Sequence, residues 1–351
     1  MPFSELIAQD RALGALRAAL RKGTLHHAYL FAGPPGVGKG RAARLLAQAA
    51  NCEGGAPASP AGYREDPCGA CVPCRKIAKA NHPDVLELAE ERAMVKAGRW
   101  EPRGGRAPSK DIVVDQVRDV VDHRLALRRF EGRRRFVIID PAEAMNPQAQ
   151  NALLKTLEEP PGDTTLVLVA GSADALLPTI RSRCLRVAFG PIPDDQVMAR
   201  LLAEGRAEGP ARLAAALAAG SLGRALALDP EELAALREAV RAAAALDADD
   251  ALGWLAFARA FGEDRERAGE LCELLGVWLR DVLAAQAGAG PLALAELAPE
   301  TGRVAAALSP AEVVRRRGAV TETAEALLQN ASPVLAIERL LIGWFHGRPQ
   351  A

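Results

Sequence analysis

Residues 33–40 read GPPGVGKG, and no other stretch of the chain narrows the choice of fold as far. The spacing Gly33-x4-Gly38-Lys39 is that of a phosphate-binding loop. In such a loop glycines let backbone N–H groups turn inward around phosphate oxygens, and the lysine reaches the outer phosphates. Pro34, Pro35, Gly36 and Val37 fill out the run. The preceding HAYLFAG (27–33) has the length and apolar character of a buried strand, and RAARLLAQAA (41–50) has helical periodicity. This order points a helix N-terminus at the phosphates and belongs to a parallel α/β sheet. The alternative is a Gly/Pro turn with no ligand. Gly40 stands where a nucleotide hydrolase carries the Ser or Thr that ligates Mg²⁺. The loop is therefore suited to ATP or ADP and poorly equipped to position Mg²⁺.

A hydrolase also needs an acidic pair after a second buried strand. That strand is RFVIID (135–140), ending in Asp140, but Pro141 follows where a water-activating glutamate is needed. Glu143 lies three residues beyond Asp140. Chemistry tolerates errors of only about an ångström, so a glutamate displaced that far is expected to miss the water. Both departures predict a site that binds without hydrolysing.

Lys+Arg and Asp+Glu number 44 each, so net charge gives no sign of a nucleic-acid partner. The basic run RRFEGRRR (128–135) reads as a solvated strand edge. No run of about 20 apolar residues occurs, so no membrane span is expected. The amino-terminal stretch carries acids and lacks an apolar signal core, which predicts a cytoplasmic protein.

Four of the six cysteines are grouped: Cys52, then Cys68, Cys71 and Cys74 in CGACVPC. Four thiolates can close a tetrahedral structural zinc site, and the C-x2-C spacing lets one tight turn present two of them. An iron–sulfur cluster or an empty site is the alternative. Cys184 and Cys272 lie in apolar surroundings and read as small buried hydrophobes.

Further strands are expected at 82–88, 164–171 and 185–190, with helices at 5–22, 111–127 and 146–161. Segment 90–110 has mixed charge with Gly and Pro and no period, and reads as an exposed loop. GPIPDD (190–195) marks a boundary, beyond which the chain is rich in Ala, Leu, Arg and Glu. Three domains are expected: an α/β domain over 1–190 with a cysteine insertion at about 51–78, a small helical domain over 191–230, and an all-helical domain over 231–351.

With these stretches in view, the chain resembles the delta-prime family of bacterial DNA polymerase III clamp-loader subunits. The resemblance is carried by HAYLFAGPPGVGKG, the cysteine insertion, NALLKTLEEPP (151–161), LLPTIRSRC (176–184), GSLGRALAL (220–228) and NASPVLAIERLL (330–341). It implies a P-loop AAA+ domain followed by a helical lid and a C-terminal collar. It implies that Arg183 is offered in trans to nucleotide on a neighbouring subunit, and that Arg224 occupies a second sensor position. Lys155, Glu158 and Glu159 read as interface and strand-connecting residues. At the first sensor position this chain has Ala170, Gly171 and Ser172, where active members carry Thr or Asn. The resemblance also implies gamma/tau and delta subunits as partners, and the sliding clamp and primed DNA through the complex. The subunit would belong to the polymerase holoenzyme and have no ATPase activity of its own. Two rival readings are an ATP-hydrolysing gamma/tau-type motor and a zinc-dependent DNA-binding module. Zero net charge and the lack of aromatic–basic interleaving in 51–78 argue against the second.

Overall fold

The computed structural model describes residues 3–102, 104 and 106–346. Five strands form one sheet: β1 (Ala28–Ala32), β2 (Val85–Leu88), β3 (Arg135–Ile139), β4 (Thr164–Ala170) and β5 (Leu185–Ala188). All pairs are parallel, in the order β2-β3-β4-β1-β5. These are the five runs expected from the sequence. β1, β3 and β4 are buried at every position, as continuous apolar strands covered on both faces must be.

The period of two sorts each strand into two cores. Tyr29, Phe31, Phe136, Val167 and Val169 pack with Leu13, Leu16 and Leu20 of α1 (Asp10–Lys22) and with Leu45 and Leu46 of α2 (Lys39–Asn51). Leu30, Val137, Ile139, Leu166 and Leu168 face the other way. They meet α5 (Val114–Arg118), reached through α3 (Val72–Ala78) and α4 (Glu91–Lys96), and α6 (Pro147–Glu158). A short α7 (Pro178–Arg181) leads into β5. Asn146 caps α6 by accepting the Ala149 N–H at 2.8 Å, with Pro147 in its first turn.

Segment 90–110, of which residues 103 and 105 lie outside the described residues, is mostly exposed as expected, but it opens on a short helix with one buried charge. Glu91 opens α4 and is completely buried. Its carboxylate accepts from Arg106 Nη1 and Nη2 (2.6 and 2.7 Å), Trp100 Nε1 (3.1 Å) and the Ser109 N–H (2.8 Å). Mixed charge looked like a solvated surface because the pairing spans 15 residues and leaves no period. Glu91→Ala removes the carboxylate and leaves the Trp100 and Ser109 N–H groups without that acceptor. It is expected to cost about 2–3 kcal/mol, read as a lower urea midpoint at unchanged slope.

The described chain divides into two compact units, Met1–Pro193 with Ser221–Gly223, and Asp194–Gly220 with Arg224–Ala351. The first holds the sheet and the cysteine insertion. The second is built of helices and the turns that join them, with no strand among its described residues, over both the segment 194–228 and the helices from Pro230 onward. Its centre is the helix Arg265–Gln286, which packs on Ala298–Ala307 and Pro310–Leu328. Trp278 is buried there, with its Nε1 donating to Thr301 Oγ1 at 3.1 Å. A P-loop AAA+ sheet followed along the chain by helical segments is the architecture that the resemblance implies.

Candidate functional site

The parallel register levels the carboxyl ends of β1, β4 and β5, with Ala32 opposite both Ala170 and Ala188. Ligands of open α/β sheets bind at that edge, and there the sheet presents loop 33–38, Asp140 and Gly171. Gly36 and Gly38 take left-handed φ values of 71° and 101°, which a side chain would resist. Val37 is buried, and Pro35 and Gly36 are exposed at the tip. Lys39 is buried, and its Nζ donates to Gly33 O at 2.6 Å and Pro34 O at 2.5 Å. Burial pushes the Lys39 ammonium down, against the opposing pull of the Asp140 and Glu143 carboxylates. The Gly223 N–H, which belongs to the same unit as the sheet, donates to Gly36 O at 3.0 Å.

Position 40 is more than a missing hydroxyl. A Cβ built there would stand 2.1 Å from Asp140 Oδ2. The Asp140 carboxylate fills the space that a Ser or Thr side chain would need. Burial pushes its carboxyl up, against Arg44 and Lys39. Arg44 in turn grips Glu87 with two bonds, Nε–Oε1 at 3.0 Å and Nη2–Oε2 at 3.1 Å. Glu143 is tied to the end of β4, where its Oε1 accepts the Gly171 N–H at 2.8 Å. Neither Arg44–Glu87 nor Glu143–Gly171 was expected. Their partners lie 43 and 28 residues apart and carry no motif.

The four cysteines converge. The Sγ atoms of Cys52, Cys68, Cys71 and Cys74 all lie within 4.8 Å of one another. The Cys71 N–H donates to Cys68 Sγ at 3.3 Å and the Cys68 N–H to Cys52 Sγ at 3.4 Å. Backbone donors of this kind support thiolate ligands. Burial raises the Cys68 thiol, but hydrogen bonds from the Cys71 and Ala70 N–H groups, together with those to the Cys71 and Cys52 side chains, outweigh it and bring it to about 6. Burial pushes Cys74 and Cys52 upward. A Cβ at Gly54 would stand 2.6 Å from Cys68 Sγ, so glycine is needed for Cys52 to close on the turn. A compact set of four sulfur donors can hold a metal ion. Cys272 is buried and Cys184 half-buried, and burial pushes both up to about 12.

Arg183 lies just before β5, at the amino edge of the sheet. Its Nη2 donates to Glu158 Oε1 at 2.6 Å and its Nη1 to Thr179 O at 2.9 Å. His26 and His27, just before β1, line the same shallow depression. Leu185 pairs with Tyr29, whereas the phosphate loop begins past Ala32. At about 3.3 Å per residue the two are roughly 15 Å or more apart. Arg224 belongs to the second unit and is ion-paired with Glu273. That partner was not foreseen.

Residues 8–193 match the family model described as "DNA polymerase III, delta subunit". The match covers more than half of the chain. The chain belongs to the DNA polymerase III delta subunit family. Among its relatives, the DNA polymerase III subunit delta' of Pseudomonas aeruginosa is 40% identical over 185 residues, which is 53% of this chain and 49% of that protein. The DNA polymerase III subunit tau of Escherichia coli is 35% identical over 199 residues, 57% of this chain and 27% of that one. The chain thus spans about half the length, or less, of these relatives. A solved DNA polymerase III gamma subunit-related protein from Thermotoga maritima aligns over 95% of this chain and 99% of its own, at 18% identity and a TM-score of 0.38. The matched region of the delta subunit family contains the phosphate loop, all four clustered cysteines and Arg183. No helix among the described residues is long and apolar enough to cross a membrane.

Proposed function

We propose that this chain is a delta-prime-type clamp-loader subunit acting in DNA replication, which binds nucleotide without turning it over and lends Arg183 to the ATP site of a neighbouring subunit. The observation that carries the reading is the division of labour between the two edges of one sheet. The carboxyl edge has the phosphate cradle, but Asp140 stands in the place of the side chain that would hold Mg²⁺. The amino edge has an arginine too far from its own cradle to serve it. Gly33, Pro34, Pro35, Gly36, Val37, Gly38, Lys39 and Gly40 would surround the phosphates of ATP or ADP, with Asp140 beside them and Arg224 in the second sensor position. Cys52, Cys68, Cys71 and Cys74 would hold one structural zinc, which keeps the insertion folded. Partners in this reading are gamma/tau and delta subunits, and through them the sliding clamp and primed DNA, in the cytoplasm.

The rival is a gamma/tau-type motor that hydrolyses ATP itself. A steady-state ATPase assay on the purified chain separates the two. The binding subunit is expected to stay at background. A turnover of about 1 s⁻¹ that disappears in Lys39→Ala would establish the motor instead.

A further inference from the structure

Residues 127–130 hold two large apolar side chains in solvent: Leu127 is 70% and Phe130 82% exposed. Arg128 and Arg129 lie between them. A segment of this composition, with no helix or strand, ordinarily has no fixed shape. Here its backbone is gripped from two sides. On the side of β2, the buried Asp84 accepts three consecutive amides: Phe130 at 3.0 and 3.1 Å, Glu131 at 2.8 Å and Gly132 at 2.7 Å. On the other side stands the cysteine module. Arg133 Nη1 donates to Cys52 O at 2.9 Å. Lys76, two residues past Cys74 on α3, reaches both oxygens of Glu131 at 2.7 Å. Asn51, the last residue of α2 and so part of the sheet's own layer, exchanges two 3.0 Å bonds with the backbone of Arg134 and anchors the far end of the loop. A Cβ at Gly62, inside the insertion, would stand 3.1 Å from Arg133 Nε.

We infer that the four-cysteine metal module is the brace of residues 130–133, holding Phe130 outward in one conformation, so that the order of this end of the loop follows the metal state of the protein. The metal fixes Cys52 and the start of α3 relative to each other. That keeps the Cys52 carbonyl and the Lys76 ammonium where Arg133 and Glu131 need them. Without the metal these partners belong to a segment rich in Gly and Pro that lacks a core of its own. Asp84, and Arg135 of β3, whose Nη2 donates to Leu127 O at 2.7 Å, then hold the loop from the sheet side alone. The inference rests on the reading of the four cysteines as a metal site and is independent of the clamp-loader reading.

The test is amide hydrogen exchange on the full chain, loaded with Zn²⁺ and then stripped by a chelator under reducing conditions. Metal content is measured in both samples. Amides of β3 and β4 serve as the internal measure of fold. Amides of Phe130, Glu131 and Gly132 are expected to exchange about tenfold faster or more after stripping, with the β3 and β4 amides unchanged. Equal loop exchange in stripped and loaded protein would overturn the brace and leave the metal site standing. Failure to bind Zn²⁺ would overturn both, and the metal measurement tells the two apart. A second protein, Lys76→Met with Arg133→Met, keeps all four cysteines. It is expected to retain Zn²⁺ while its loop exchanges as fast as that of the stripped wild type. If its loop stays as protected as in the loaded wild type, the module does not act through these contacts and the inference falls.

Discussion

Arg183→Ala is expected to leave the chain folded and able to join a clamp-loader complex, while ATP hydrolysis at the neighbouring site it faces falls by about 10³-fold. The size follows from the role. A guanidinium aimed at a transferring phosphoryl group meets charge that develops only in the transition state, in a site from which water is excluded. The competing account makes Arg183 a helix-end residue paired with Glu158. Both partners are partly exposed, so loss of that pair costs at most about 1 kcal/mol of stability and nothing in the partner's chemistry. Reconstituting the complex with the variant and measuring DNA-stimulated ATPase and clamp loading decides between them. An assembled complex that hydrolyses and loads as wild type would remove the main residue from the proposed role.

Removal of the metal is expected to unfold the insertion and spare the sheet. Binding free energies of structural zinc are of order 10 kcal/mol, and a segment closed by such a site has little else to hold it. Within 52–78 the described buried apolar anchors are Tyr63, Pro67, Pro73 and Ile77 beside Cys52 and Cys74. The sheet has cores on both faces and contains none of the four cysteines. Trypsin should therefore cut the stripped chain at Arg64, Arg75 and Lys76, while the far-ultraviolet circular dichroism of the rest persists. Stripped protein that resists cleavage at these residues as well as loaded protein does would count against a structural role for the ion. So would metal analysis that finds iron or no metal in protein made under reducing conditions.

Sequence alone determined what is written in consecutive residues. The strands are short apolar runs with punctuation at both ends, and their burial on both faces made β1, β3 and β4 readable without any partner. The phosphate loop was legible for the same reason, since GPPGVGKG is one contiguous turn whose glycines are required by its own backbone. CGACVPC was legible as a turn that presents thiols.

Tertiary structure decided every pairing across long separations. The sequence grouped Cys52 with the other three cysteines across fifteen intervening residues, and the fold brings its Sγ within 4.8 Å of theirs. Gly40 looked like an absence until Asp140, a hundred residues on, was found in the space. Arg183 drew Glu158, Arg224 drew Glu273, and Glu91 was buried against Arg106. The run RRFEGRRR is solvated over most of its length as expected, but its backbone is held by Asp84 and the Arg133 side chain meets the Cys52 carbonyl. The physical reason is common to all of these. Periodicity and composition record how a residue meets solvent and its near neighbours along the chain, whereas a charge or a small side chain takes its meaning from whichever distant group the packed sheet sets against it.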